Sequence, residues 1–182
     1  MKPWIALFSN TGSELKRICD HFDIWPTSVI TNNFNSDDWR HNIPEDIVTM
    51  MSPSAIHAGF KHMYKRQFVT LHGYMRILPP EACEMHDVYN GHPGAINLYP
   101  ELKGKDPQER VWNDLGKYEF IGSVVHKVTE ELDGGEIVSK VFCENTCISK
   151  EELYNTIRET SFRSWKNFLS THFERELGVN NV

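Results

Sequence analysis

The sequence of 182 residues contains no apolar run near the eighteen or so residues that cross a bilayer. Its apolar opening, Trp4 to Phe8, runs straight into Ser9-Asn10-Thr11 and is too short for the core of a secretory leader. Only four cysteines occur, Cys19, Cys83, Cys143 and Cys147, with no C-x-x-C pair, which argues against a disulfide scaffold or a cysteine-held zinc. His57 and His62 do not share a helix face as an H-E-x-x-H motif requires, so no metal is expected. Acidic residues outnumber basic ones 25 to 19, for a net charge of −6 without blocks of one sign. That disfavours nucleic acid and membrane surfaces as partners. With 9 prolines and 11 glycines the chain is neither collagenous nor disordered. The expectation is a cytoplasmic protein, monomer or homodimer.

At 40% hydrophobic and 12% aromatic residues, the chain can build a packed core, and its length suits a single domain over 1–182. Trp4 to Phe8 reads as a strand and Ser9 to Ser13 as a loop; Leu15, Ile18, Cys19 and Phe22 then fall at helical spacing. Ser28-Val29-Ile30-Thr31, Ile47 to Met50 and Phe68 to Leu71 are further strands, with a helix predicted from Pro53 to about Lys65. This alternation predicts a doubly wound, mostly parallel, Rossmann-like α/β sheet with ligands at the carboxyl ends of its strands. Val88 to Asn90 is a short strand, followed by an irregular loop from Gly91 to Pro107. Phe120 to Val128 and Glu136 to Phe142 read as a hairpin-like pair with a turn signal at Asp133-Gly134-Gly135. A capping box at Ser149 to Glu152 opens a C-terminal helix predicted to reach about Glu176.

Four stretches could carry chemistry. Asn90-Gly91-His92-Pro93 follows a predicted strand; there an amide and an imidazole suit acyl-type transfer, both able to donate to a developing oxyanion. Against this stands a turn with a surface histidine. A carboxylate at Asp133 near His92 would raise the imidazole's pKa and accept a proton from an attacking amine, although Asp-Gly is also an ordinary turn. His72-Gly73-Tyr74-Met75-Arg76-Ile77-Leu78 could hold a flat heteroaromatic ring, or be core with a solvated arginine. Asn10-Thr11-Gly12-Ser13 opens a helix where free N–H groups could take an anion, yet it lacks the P-loop lysine, and Glu14 would repel a phosphate if it pointed inward.

Together and in this order, these segments and His126 to Gly135 resemble the folate-dependent formyltransferase family, most closely its glycinamide ribonucleotide transformylase branch. The resemblance implies Asn90, His92 and Asp133 as catalytic residues. It implies 10-formyltetrahydrofolate as formyl donor, with its pterin-like end against Arg76, Ile77 and Leu78 and against Val128, Thr129, Glu130 and Asp133. A small-molecule amine acceptor would meet Asn10, Thr11, Gly12, Ser13 and His126. Residues 1–85 would form the acceptor-binding half and 86–182 the catalytic and folate-binding half. The expected reaction is formylation of glycinamide ribonucleotide in purine biosynthesis. An amino-sugar nucleotide or other amino-nucleotide is an alternative acceptor, as are hydrolysis of the formyl-folate and a non-catalytic folate-binding role. The departures from the branch fall on the acceptor side. Glu14 stands where it usually has an asparagine beside the phosphate, Ser161 (or Glu159, one turn away) aligns with an acceptor-binding glutamate, and Leu102 to Pro107 looks more like the R-G-x-x-P loop of other formyltransferases.

Overall fold

Trp4–Phe8 forms β1, buried at every residue, as an uninterrupted apolar run in a central parallel strand should be. In the computed structural model, which describes residues 3–177, the chain divides into two compact units. The first comprises the segment to Asn90 together with 128–130. In it β1 is followed by α1 (Ser13–Phe22), β2 (Ser28–Thr31), β3 (Val48–Met50), α2 (Pro53–Lys61), β4 (Phe68–Leu71), α3 (Pro80–Met85) and β5 (Asp87–His92), whose last two residues belong to the second unit. β1 pairs in parallel with β2 on one side and β4 on the other; β2 pairs with β3 and β4 with β5, also in parallel. The chain therefore reverses its direction of winding between β1 and β4, the position at which an open α/β sheet leaves a crevice beyond its carboxyl ends. Beneath that edge, Ile5, Leu7, Val69 and Leu71 pack against Ile56 and Phe60 of α2.

The second unit holds a 3-10 turn at Pro100–Leu102, then α4 (Pro107–Asn113), β6 (Phe120–Lys127), β7 (Ile137–Glu144) and α5 (Lys150–Leu177). β6 and β7 are antiparallel and α5 packs on both, burying Leu153, Ile157, Trp165 and Leu169. At its start the Ser149 hydroxyl accepts from the Glu152 N–H (3.1 Å), while Glu152 reaches back to the Ile148 N–H (2.9 Å), a capping box displaced by one residue. All seven strands join one mixed, mostly parallel sheet in the order β3-β2-β1-β4-β5-β6-β7.

Some elements differ from expectation. α2 stops at Lys61 because His62, Tyr64, Lys65 and Arg66 are all exposed and offer no apolar face to bury. β5 extends to His92, so Gly91 and His92 are strand residues and not the start of the loop. α3 and α4 lie in stretches for which no element was expected. Each opens on a proline in its first turn and spans six and seven residues, too few turns for a periodic signal.

Candidate active site

β5 ends in Asn90-Gly91-His92, and because strand side chains alternate, Asn90 and His92 leave the same face. Gly91, between them, points the other way, where an added Cβ would strike the indole of Trp165 at Nε1 and lie 3.0 Å from Cε2. Trp165 is fully buried on α5, so only glycine lets that helix lie so close to the strand.

His92 Nδ1 lies 3.2 Å from Asp133 Oδ2, and His126 Nε2 lies 3.3 Å from Asp133 Oδ1. The side chains are 5%, 2% and 8% exposed for His92, His126 and Asp133, so water screens none of these contacts well. Asp133 sits in left-handed backbone (φ 50°), which aspartate tolerates better than most residues, and its Oδ2 also accepts from the Gly104 N–H at 2.8 Å. His126 is the residue at which the β6–β7 ladder shifts register, a bulge that re-aims its side chain.

The outer nitrogens are fixed too. His92 Nε2 lies 2.9 Å from the Leu102 carbonyl oxygen and His126 Nδ1 lies 3.0 Å from that of Lys127. Carbonyl and carboxylate oxygens alike only accept, so each ring lies between two acceptors: a neutral ring donates to one of them, and a protonated ring to both. A further proton on His92 therefore completes its bonds on both sides, which gives the cluster a place for one proton. Burial is the largest influence on His92 and holds its pKa below the ordinary 6.5; the Asp133 charge and the Leu102 carbonyl pull the other way, while His126 and Arg110 add to the lowering. For Asp133, burial pushes the carboxyl up, but the His126 bond, the His92 charge and the Gly104 N–H together outweigh it and leave the pKa lowered. The loop that supplies Leu102 is held by Arg110, whose guanidinium donates to the carbonyls of Glu101, Leu102, Lys103 and Lys105.

In the first unit, the loop Asn10-Thr11-Gly12-Ser13 joins β1 to α1, with Gly12 in left-handed backbone (φ 68°). Asn33 donates to the Asn10 carbonyl (3.1 Å) and Asn42 to that of Thr11 (2.8 Å), so side-chain amides shape the loop. Arg76 and Ile77 are exposed, the latter 74%, whereas Leu78 is buried in the core cluster against which Val128 packs. Thr129 and Glu130 are exposed. On α5, Ser161 is buried and Glu159 exposed.

Thus His92, His126 and Asp133 form one cluster, in which His126 meets the Asp133 carboxylate, a contact its expected acceptor-side role did not anticipate. Sequence reasoning missed Leu102, Gly104 and Arg110 as parts of the site; the R-G-x-x-P-like character of Leu102 to Pro107 was the available signal.

A profile of the formyl transferase family matches residues 51–164. A phosphoribosylglycinamide formyltransferase of Dictyostelium discoideum is 37% identical over 78 residues, covering 38% of this chain and 37% of that protein. The mitochondrial formyltetrahydrofolate deformylase 2 of Arabidopsis thaliana is 31% identical over 105 residues, covering 56% and 30%. The alignments thus span about a third of the length of these curated relatives. Among solved structures, the phosphoribosylglycinamide formyltransferase of Streptococcus pneumoniae TIGR4 superposes with a TM-score of 0.77 at 18% identity, over 95% of this chain and 99% of the other. A formyltetrahydrofolate deformylase of Pseudomonas syringae gives 0.71 at 24% identity, over 96% and 62%. These superpositions establish a common fold. The matched profile spans more than half of the chain and takes in Asn90, His92, His126 and Asp133, and on that basis the chain belongs to the formyl transferase family.

Proposed function

We propose that the protein transfers a formyl group from 10-formyltetrahydrofolate to a primary amine, with Asn90, His92 and Asp133 as catalytic residues. The observation that carries this reading is the buried His92–Asp133 pair at 3.2 Å, with the Asn90 amide leaving the same face of the same strand. Lowered by burial, His92 is a neutral imidazole near neutral pH, and in the tautomer that carries its proton on Nε2 it still donates from there. That donor and the Asn90 amide stabilise negative charge growing on the formyl oxygen, His92 exchanging its bond to the Leu102 carbonyl for one to substrate. The amine that attacks becomes cationic and loses its proton to the Asp133 cluster, which has a place for one. The oxyanion then collapses, the bond from the formyl carbon to N10 of the folate breaks, and the proton passes to N10 as tetrahydrofolate leaves. Holding two substrates together supplies much of the remaining acceleration.

For the folate, the exposed Ile77, with Met75 and Arg76 beside it, offers an apolar face for a flat ring, and Leu78 and Val128 anchor the two segments, 76–78 and 128–130, in one core. The acceptor meets the Asn10 to Ser13 loop. The names of the transformylase relatives support glycinamide ribonucleotide as that acceptor, whereas Glu14 in the first turn of α1 favours an amine without a phosphate there. The deformylase relatives favour a second reading, in which water takes the place of the amine.

Tetrahydrofolate release from the 10-formyl donor separates these readings when measured without amine, with glycinamide ribonucleotide and with a panel of other primary amines. Amine-dependent release that falls at least about a hundredfold in His92→Ala supports the proposal; amine-independent release identifies a hydrolase, and no release under any condition refutes both.

A further inference from the structure

The winding of the sheet reverses between β1 and β4, and the two loops that leave these strands touch: the Met75 N–H donates to the Ser9 hydroxyl at 2.8 Å. Asn90 stands in line with Leu71 and Leu7 across the strand register, so the crevice opens at the same edge as the proposed oxyanion donor. Its two walls also meet where His72 Nδ1 lies 3.2 Å from Glu14 Oε2, with the His72 side chain fully buried and Glu14 31% exposed.

Behind this contact runs a chain of bonds with only one consistent direction for a neutral ring. It is set from the Glu14 end: a carboxylate only accepts, so a neutral His72 carries its proton on Nδ1 and donates it there. Nε2 is then left to accept from the Thr70 hydroxyl (2.9 Å), which itself accepts from the Trp4 indole N–H (2.8 Å). The carboxylate is therefore held from behind by a buried donor, in the first turn of α1, where the unsatisfied N–H groups and the helix dipole favour negative charge. In a sheet of this kind that position is where a ligand's anionic group is ordinarily received. Here the chain supplies the negative charge itself. Further along the same helix Lys16 pairs with Asp20. Gly12 is covered as well, since Ile43 Cγ1 would lie 2.8 Å from any Cβ placed there.

We propose that Glu14, held by His72, is a specificity-determining residue of the acceptor side. The acceptor group seated between the β1 and β4 loops is a hydrogen-bond donor, a hydroxyl or an ammonium, and not a phosphate monoester. The inference rests on the formyl-transfer reading, whose acceptor class it narrows.

Two measurements on the full chain test it, using wild type, Glu14→Asn and Glu14→Gln. In the first, tetrahydrofolate release is followed with glycinamide ribonucleotide and with amino sugars and aminated nucleosides that lack a phosphate monoester. Wild type is expected to prefer a phosphate-free amine, and both variants to raise kcat/KM for the ribonucleotide by about tenfold or more, mostly through KM, as follows from removing a carboxylate that faces a dianion. The second measurement is binding of inorganic phosphate by calorimetry, which needs no turnover: the variants gain affinity over wild type by a similar factor. Equal phosphate affinity in all three proteins overturns the assignment, as does efficient wild-type use of glycinamide ribonucleotide that neither variant improves. If no protein releases tetrahydrofolate with any amine, the formyl-transfer reading fails, and the phosphate titration still decides what Glu14 excludes.

Discussion

Gly91 offers the most direct test of how the fold holds the strand that carries Asn90 and His92. Replacing it with alanine puts a methyl group 3.0 Å from Trp165 Cε2 and 3.2 Å from Cζ2, with Nε1 closer still, where carbon atoms ordinarily rest about 3.5–4.0 Å apart. Trp165 is fully buried and cannot swing into solvent, so either α5 or β5 must give way. Overpacking of a buried contact costs about 1–3 kcal/mol. In a chain of this length that lowers the melting temperature by roughly 2–12 °C. The strain also falls between Asn90 and His92, and a displacement of about an ångström there is enough to reduce kcat by up to about a hundredfold. Thermal and urea unfolding followed by circular dichroism give the stability term, and tetrahydrofolate release gives the rate. Trp165→Phe removes the indole atoms that collide, so in that background Gly91→Ala should cost much less, with a coupling energy of about 1 kcal/mol or more. If Gly91→Ala melts like wild type, or costs as much with phenylalanine at 165, the close approach of the indole is not what requires glycine.

Burial lowers the pKa of His92 below 6.5, so the folded state binds fewer protons at this group than the unfolded chain does; its contribution is complete above pH 6.5 and is lost as pH falls through the lowered value. Urea midpoints of wild type should therefore decline below that pH more steeply than those of His92→Gln; parallel profiles would exclude a buried neutral ring. Asp133, also lowered, gives a contribution that is complete above its ordinary 3.8 and is lost only in stronger acid, so its effect separates from that of His92 by pH. The Tyr74 hydroxyl is buried without a hydrogen-bond partner among the described residues, so Tyr74→Phe is expected to leave stability unchanged or raise it by about 1 kcal/mol, and a loss of that size in urea unfolding would reveal a partner for the hydroxyl. Arg110→Met removes donors from four carbonyls of the 101–105 segment, and amide exchange there should accelerate by about tenfold or more while α5 keeps its protection; unchanged exchange would mean that the loop is held by other contacts.

Much of the architecture was legible because its signals are local. β1, β2 and β4 are compact runs of apolar and β-branched residues bounded by turn formers, and they appear with the expected boundaries. The mostly parallel sheet follows from their alternation with helices. The antiparallel pairing of β6 and β7 was legible as well, from two β-rich runs on either side of an Asp-Gly-Gly turn. The division of the chain after Asn90, with 128–130 grouped with the earlier residues, leaves no mark in composition. It depends on which long-range partners a segment finds, as Val128 does when its N–H donates to the Val88 carbonyl at 2.8 Å.

The site divides along the same line. Asn90, His92 and Asp133 were legible as residue types suited to acyl transfer, but the role of His126 was not, because it depends on a register shift within β6 that turns the ring toward Asp133. A bulge leaves no signature in a run such as Ser123-Val124-Val125-His126. The surroundings of the rings are further from reach, since each also faces a main-chain carbonyl, Leu102 or Lys127, whose own residue type is irrelevant to the contact. Glu14 shows the opposite case. Its charge was visible in the sequence as a conflict with phosphate, but only if it pointed inward, and the residue that fixes its direction, His72, lies 58 positions away at the end of another strand. The conflict is resolved in the fold by giving the carboxylate a buried donor. A charge that the chain keeps in place at the mouth of its own crevice is a statement about the ligand as much as about the protein.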